Sequence, residues 1–363
     1  MAWKNIGYQT YLGMVKQAAF RTANLVTTKV PFTSESLIDE YIRIDQDYLD
    51  GKAGKKPSAQ GPLKVAGSFN SVLVYDEVAT QFVGTDLPIA LQMGTATWHA
   101  VTTANQIKLA EDLGLFATIA LLKGDTDELK LWEIVGAMPK GFTINGKSGD
   151  KLTATFDWIC YDLDRDPTVN SNTDLTTLPT VLPYPILFSE GVFRIASDFS
   201  NALAIGDKES ISEFSLALNN NISDSEFATV GTAASLHTES KKTIQPERNG
   251  FRDVKFTFTL PRYDEDTWID AATGNTPLQA DFVFTHSAYT FKIFIPHMFV
   301  TKVDAPISGA GIIPLKVECA CYRGAAYNQG TGNTVMLFTD AATVIAEEFA
   351  IETINDRTAT ILA

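Results

Sequence analysis

Apolar and polar residues alternate in short bursts along most of the chain. Val254-Lys255-Phe256-Thr257-Phe258-Thr259-Leu260 and Leu152-Thr153-Ala154-Thr155-Phe156 are two such bursts. Successive side chains of a strand point to opposite faces, so a period of two predicts half-buried β-strands. Asn145-Gly146, Gly206-Asp207, Asn249-Gly250 and Gly274-Asn275 lie between bursts, as hairpin connections require. The chain therefore reads as mainly antiparallel β. Helical spacing is confined to few places. Leu109, Leu113 and Phe116 fall at i, i+4 and i+7 and predict a helix over about 104–116, and a second short helix is expected near Asp264, taking in Trp268 and Ile269.

Comparing the chain with itself shows three landmarks recurring in the same order. Val74-Tyr75-Asp76-Glu77 has a counterpart in Arg262-Tyr263-Asp264-Glu265, and the run from Leu131 to Met138 resembles Phe291 to Met298. Each run is followed by a strand-like burst closing on Cys-Tyr, at Cys160-Tyr161 and Cys321-Tyr322. Ordered recurrence of this kind predicts duplication. The segment from Asp162 to Pro185, rich in Asp, Asn, Thr and Pro, has the composition of a connector. We expect β domain I over 1–185, carrying the helical insertion at about 104–116, β domain II over 186–345, and a C-terminal arm over 346–363.

Both expected domains keep a long polar stretch, residues 38–62 and 223–250. Loops longer than about 15 residues are uncommon in compact domains unless they have a task. The first mixes Tyr41, Ile44 and Tyr48 with Lys52, Lys55 and Lys56, a composition that suits an interface. These residues are the candidate contact site, and the alternative is a pair of dispensable surface loops.

Composition narrows the function. With 29 Lys+Arg against 43 Asp+Glu the formal net charge is −14, which argues against wrapping duplex DNA by neutralising phosphates. The longest apolar run, Leu113 to Leu122, is far short of the roughly 20 residues that span a bilayer, and the first residues lack the pattern of a secretory signal. Cys160, Cys319 and Cys321 are too few and too oddly placed for a disulfide framework or a tetrahedral zinc site, and read as free thiols.

Motifs for chemistry fail in their context. Gly141 to Ser148 fits the phosphate-loop pattern, yet Lys151 to Trp158 alternate like a strand where that motif needs a helix N-terminus, so a hairpin turn explains the same residues. Asp162-Leu163-Asp164-Arg165-Asp166 begins like a calcium loop but continues with Pro167 in place of Gly and Thr173 in place of Glu. His99, His237, His286 and His297 are scattered, and no G-x-S-x-G elbow is present. Tyr75-Asp76-Glu77 and Tyr263-Asp264-Glu265 could serve a glycosidase as paired carboxylates, but strand ends leading into helices favour the same residues for capping. No catalytic residue, metal or cofactor is expected.

With these landmarks the chain resembles a bacteriophage major tail tube protein. The resemblance rests on Pro31-Phe32-Thr33-Ser34-Glu35-Ser36-Leu37, on Phe188-Ser189-Glu190-Gly191-Val192-Phe193-Arg194-Ile195, and on Phe214 to Ile222 running into a long loop and then the strand Phe256 to Leu260. It implies tandem β-sandwich or barrel-like domains, each with a flanking helix, whose inner sheets join in a ring around a continuous lumen. It also implies self-assembly as stacked rings, trimeric and pseudo-hexameric for a duplicated chain or hexameric in the common form. A long loop would reach the adjacent ring, and a tape measure protein and tail terminator or tip proteins would be partners. Such a tube belongs to a virion tail, would assemble in the host bacterial cytoplasm and would pass DNA without binding it specifically, helped by a lumen biased toward Asp and Glu. The rival readings are a carbohydrate-binding or glycosidase-like β-sandwich and the tube of a phage-like injection apparatus.

Overall fold

The computed structural model describes residues 10–46, 56–78, 81–112, 115–124, 129–179, 183–197, 202–223, 242, 245–307, 311–324 and 336–362. The chain opens with β1 (Tyr11–Gln17), the short β2 (Thr28–Lys29) and β3 (Ser34–Glu35), then β4 (Ile38–Ile44) and the long β5 (Ala59–Val72). Short strands β6 (Glu77–Val78) and β7 (Phe82–Val83) lead into helix α1 (Asp86–Met93), followed by β8 (Gly94–His99), β9 (Ala104–Leu109) and β10 (Phe116–Lys123). Next come β11 (Lys130–Lys147), β12 (Thr153–Cys160), β13 (Asp162–Asp164) and helix α2 (Asn172–Thr176). The second half holds β14 (Gly191–Ala196), β15 (Glu213–Asn219), β16 (Asp253–Leu260), helix α3 (Thr267–Thr273), β17 (Pro277–His286), β18 (Tyr289–Asp304), β19 (Leu315–Cys321) and β20 (Ala350–Ile354).

One antiparallel ladder runs across the molecule in the order β4–β5–β12–β11–β15–β16–β19–β18. The β11–β15 pairing, from Gly141 opposite Asn219 to Lys147 opposite Glu213, carries the sheet from the first half into the second. A second layer covers it, formed by β2–β1–β10–β11–β13 of the first half and by β14–β17–β18–β20 of the second, which the first-half hairpin β9–β8 extends. Strands β11 and β18 serve both layers. Gly136 lies where β11 passes between them, with φ +63°, and a Cβ there would sit 2.3 Å from the Phe20 carbonyl oxygen. Only glycine takes that conformation without strain.

The alternating strands bury one face each between the layers. Phe69, Phe142, Phe156 and Trp158 fill the first half, while Phe193, Phe214, Phe256, Phe258, Phe282 and Phe284 fill the second, all in one continuous core. Burying such a side chain contributes roughly 1.5–3 kcal/mol. Helix α3 follows β16 as expected, and its Trp268 packs edge-on against Phe258 at 5.1 Å. Cys160, Cys319 and Cys321 are free and buried.

The two halves share a strand order. β12 pairs with β11 and β5 as β19 pairs with β18 and β16, β10 pairs with β11 as β17 pairs with β18, and β1 pairs with β10 as β14 pairs with β17. Cys160 and Cys321 end equivalent strands, and Tyr75 and Tyr263 each follow the end of an equivalent strand. The methionines are one place out of step, because Met138 faces Ile159 whereas Met298 faces Cys321 itself.

Three expectations are corrected. Residues 104–116 are not helical: β9 occupies Ala104–Leu109 and β10 begins at Phe116, while Leu113 lies outside the described residues. The helical spacing crosses two strands, because Leu109 closes β9 and Phe116 opens β10, and within β9, which pairs with β8 and β20, Ile107 and Leu109 share one face. The stretch 38–62 is strand at both ends, where β4 pairs with the extended start of β5, and residues 47–55 lie outside the described residues. Asn145-Gly146 lie inside β11, and the turn falls at Ser148-Gly149, where Gly149 has φ +83°. The connector and the C-terminal segment are also packed: α2 carries a Ser171 capping box, β20 pairs with both β9 and β18, and Ile361 and Leu362 are buried.

Candidate assembly surfaces

The β3–β4 edge is built from charges that sequence spacing did not reveal. Asp39 of β4 pairs with Arg165, and Glu35 of β3 pairs with Lys123. Both cations also lie against one ring, with Lys123 Nζ 3.7 Å and the Arg165 guanidinium carbon 4.9 Å from the centre of Trp132. Cation–π contact adds to each ion pair, so Trp132 fastens the base of the hairpin to the covering layer. The hydrogen bond from Arg165 holds the Asp39 carboxyl below its usual range, which keeps it ionised.

Beyond this base the hairpin is open to solvent. Ile38, Tyr41, Ile42 and Ile44 are exposed, at 39–56% for the four side chains. Of the candidate contact residues, Tyr41 and Ile44 therefore stand on one exposed strand, joined by Ile38 and Ile42, which the loop reading left out. Lys56 is half-buried three residues before the return strand, and Tyr48, Lys52 and Lys55 lie outside the described residues. Most of the second stretch, 223–250, lies outside them too. Its flanks are tied back by an isolated bridge between Ile222 and Arg248 and by the Lys242–Asp162 ion pair.

The uncovered face of the long sheet is polar, with Ser68, Asn70, Thr143, Thr155, Ser215 and Thr257 at its middle. Three lysines on it have a carboxylate of the same strand beside them. Lys255 lies 2.9 Å from Asp253, Lys316 3.2 Å from Glu318 and Lys302 3.9 Å from Asp304, each two residues apart and hence on one side of a strand. In the ladders Lys147 stands opposite Glu213, and Lys64 opposite Glu40.

The recurring acidic landmark serves the fold. Asp76 Oδ1 accepts the Thr85 and Asp86 backbone N–H groups at 2.8 and 3.1 Å, which satisfies the start of α1. Its Oδ2 accepts from Arg357 Nε at 3.1 Å, and the guanidinium stacks 3.6 Å over the Phe82 ring. Asp86 accepts from Thr353 Oγ1 at 2.7 Å and Asn355 Nδ2 at 2.8 Å. This buried cluster ties the C-terminal segment to the first half. In the second half Tyr263 donates to Asp266, ahead of α3. Among the described residues no group of three or more His, Cys, Asp or Glu side chains could hold a metal, and no helix is long and apolar enough to cross a membrane.

Layered β-sheet, an exposed hairpin and open sheet edges define a protein whose surfaces suit assembly. Residues 7–321 match the family model of the phage tail tube protein, and the chain belongs to that family. It is a structural protein of the virion tail, from a family that is not a class of enzyme. No curated protein matches the chain.

Proposed function

We propose that the chain polymerises as stacked rings to form the tube through which a phage genome leaves the virion. Each copy supplies two tube domains, over 1–185 and 186–345, so that three copies make a pseudo-hexameric ring, and residues 346–363 act as a strap across them. The observation that carries this reading is the β11–β15 ladder, which joins two halves of equal strand order into one sheet. A sheet extended this way inside one chain can be extended again between chains, leaving fewer open edges.

In this reading the polar face lines the lumen. Its paired lysines and carboxylates replace the acidic bias expected from the net charge. A lysine already neutralised by its neighbour offers little to a passing phosphate, so the wall stays slippery without strong repulsion. The exposed hairpin reaches the adjacent ring through Tyr41 and Ile44, together with Ile42. A tape measure protein would fill the lumen before ejection, and terminator and tip proteins would cap the ends. Deleting residues 50–58 tests the hairpin: the variant should fold and form rings that do not stack. Normal tubes from that variant would remove the hairpin from the mechanism.

A further inference from the structure

We propose that neighbouring copies join through one defined ladder, in which Lys302–Asp304 of β18 pair antiparallel with Ile38–Glu40 of β4 in the next copy, placing Lys302 opposite Glu40. The proposal rests on the tube reading above and adds its register. The template is the seam already present within the chain. There, β11 runs beside β15 from Gly141 opposite Asn219 to Lys147 opposite Glu213.

Both members of that seam have counterparts with a free side. β11 and β18 are aligned by a one-residue bulge against the next strand, between Pro139 and Gly141 in one and between Val300 and Lys302 in the other. The same alignment superposes Cys160 on Cys321. β15 and the β3–β4 edge are aligned through their shared neighbours. Phe69 faces Glu35 and Phe156 as Phe258 faces Phe214 and Val317. A backbone contact repeats as well: Thr33 N–H donates to the Asn70 carbonyl and Ser212 N–H to the Thr259 carbonyl, both at 2.8 Å. Carrying the seam over these two alignments puts Lys302 opposite Glu40, Asp304 opposite Ile38 and Ala305 opposite Leu37.

The two edges can accept this partner. Among the described residues β4 pairs with β5 alone, and β18 beyond Phe299 pairs with β19 alone. Glu40 faces Lys64 and Lys302 faces Glu318, so both project from the polar face and would meet on one side of the joined sheet. Their charges are opposite, as are those of Lys147 and Glu213 across the internal seam. Ile38 and Ile307, 56% and 76% exposed on these edges, would be covered. The contact is head-to-tail, the type that closes a ring when the rotation allows.

The test is a cysteine pair in the full chain. Glu40→Cys with Lys302→Cys, assembled and then oxidised, should give covalent dimers and a ladder ending at the closed ring on a denaturing gel. Asp39→Cys with Lys302→Cys, one residue out and on the opposite face, should stay monomeric; the native cysteines are buried. Lys302→Glu should lower assembly at least tenfold, and adding Glu40→Lys should restore it. Tubes that form without the Glu40 cross-link, or that cross-link through Asp39 instead, overturn the seam and leave the tube reading standing. A wild-type chain that remains monomeric overturns both.

Discussion

Replacing Arg357 with leucine removes the cation that compensates Asp76 inside the protein. Asp76 is fully buried, and its side chain meets Arg357 at 3.0 Å. Breaking such a pair costs about 3–5 kcal/mol, because the remaining charge keeps its desolvation penalty, and the lost stacking on Phe82 adds about 1 kcal/mol. The loss should depend on pH. Burial, and then the charge of Asp76, push Asp86 from its ordinary 3.8 to about 7, with Arg357 among the groups opposing the rise. The folded state thus holds this proton more tightly than the unfolded chain. Stability from it is complete below about pH 4 and is lost as pH climbs through about 7, a change of about 4 kcal/mol. Without the guanidinium both carboxyls rise further, so the deficit of Arg357→Leu should be larger at pH 8 than at pH 5. Asp86→Asn should flatten the slope of the parent protein between those values. Urea unfolding followed by tryptophan fluorescence and circular dichroism measures both effects. Equal midpoints for variant and parent at the two pH values, or a deficit larger at pH 5, would refute the reasoning.

Two further outcomes can be checked on single preparations. Gly136→Val forces a β-branched residue to φ +63° against the Phe20 carbonyl, and should cost about 3 kcal/mol in the same unfolding assay; a parent-like midpoint would mean that β11 does not bend there. Asp253→Asn, Glu318→Gln and Asp304→Asn together unmask three lysines of the polar face, so tubes of the triple variant should retain fluorescent duplex DNA that parent tubes release. Each new phosphate contact should steepen the salt dependence by about 0.9, and equal retention by both tubes would contradict the neutralised wall.

What sequence could show followed from how local each signal is. The alternation in β16 and the strand ending at Cys160 are properties of single strands with one buried face, and the helix at Trp268 has its own short apolar stripe. In β9 the alternation Gln106-Ile107-Lys108-Leu109 is only four residues long, and Leu109 also completes a helical spacing with Leu113 and Phe116, so periodicity alone does not choose between strand and helix. β4 fails for the opposite reason: it is exposed on both faces for most of its length, and nothing in its pattern separates it from a loop. Arg357 and Asp76 lie 281 residues apart, and Trp132 meets Lys123 and Arg165 only once three strands are in place. Such contacts leave no local spacing to read. The acidic landmark at Asp76 was legible as a cap, though its partner on the C-terminal segment was not.

Cryo-electron microscopy of tubes grown from the purified chain tests the central claim most directly. The account predicts rings whose inner wall is the polar face of the sheet, with Thr155, Ser215 and Thr257 toward the lumen and the β1–β10 and β14–β17 layer outside. Discrete particles without a lumen, or a lumen bounded by that second layer, would contradict it.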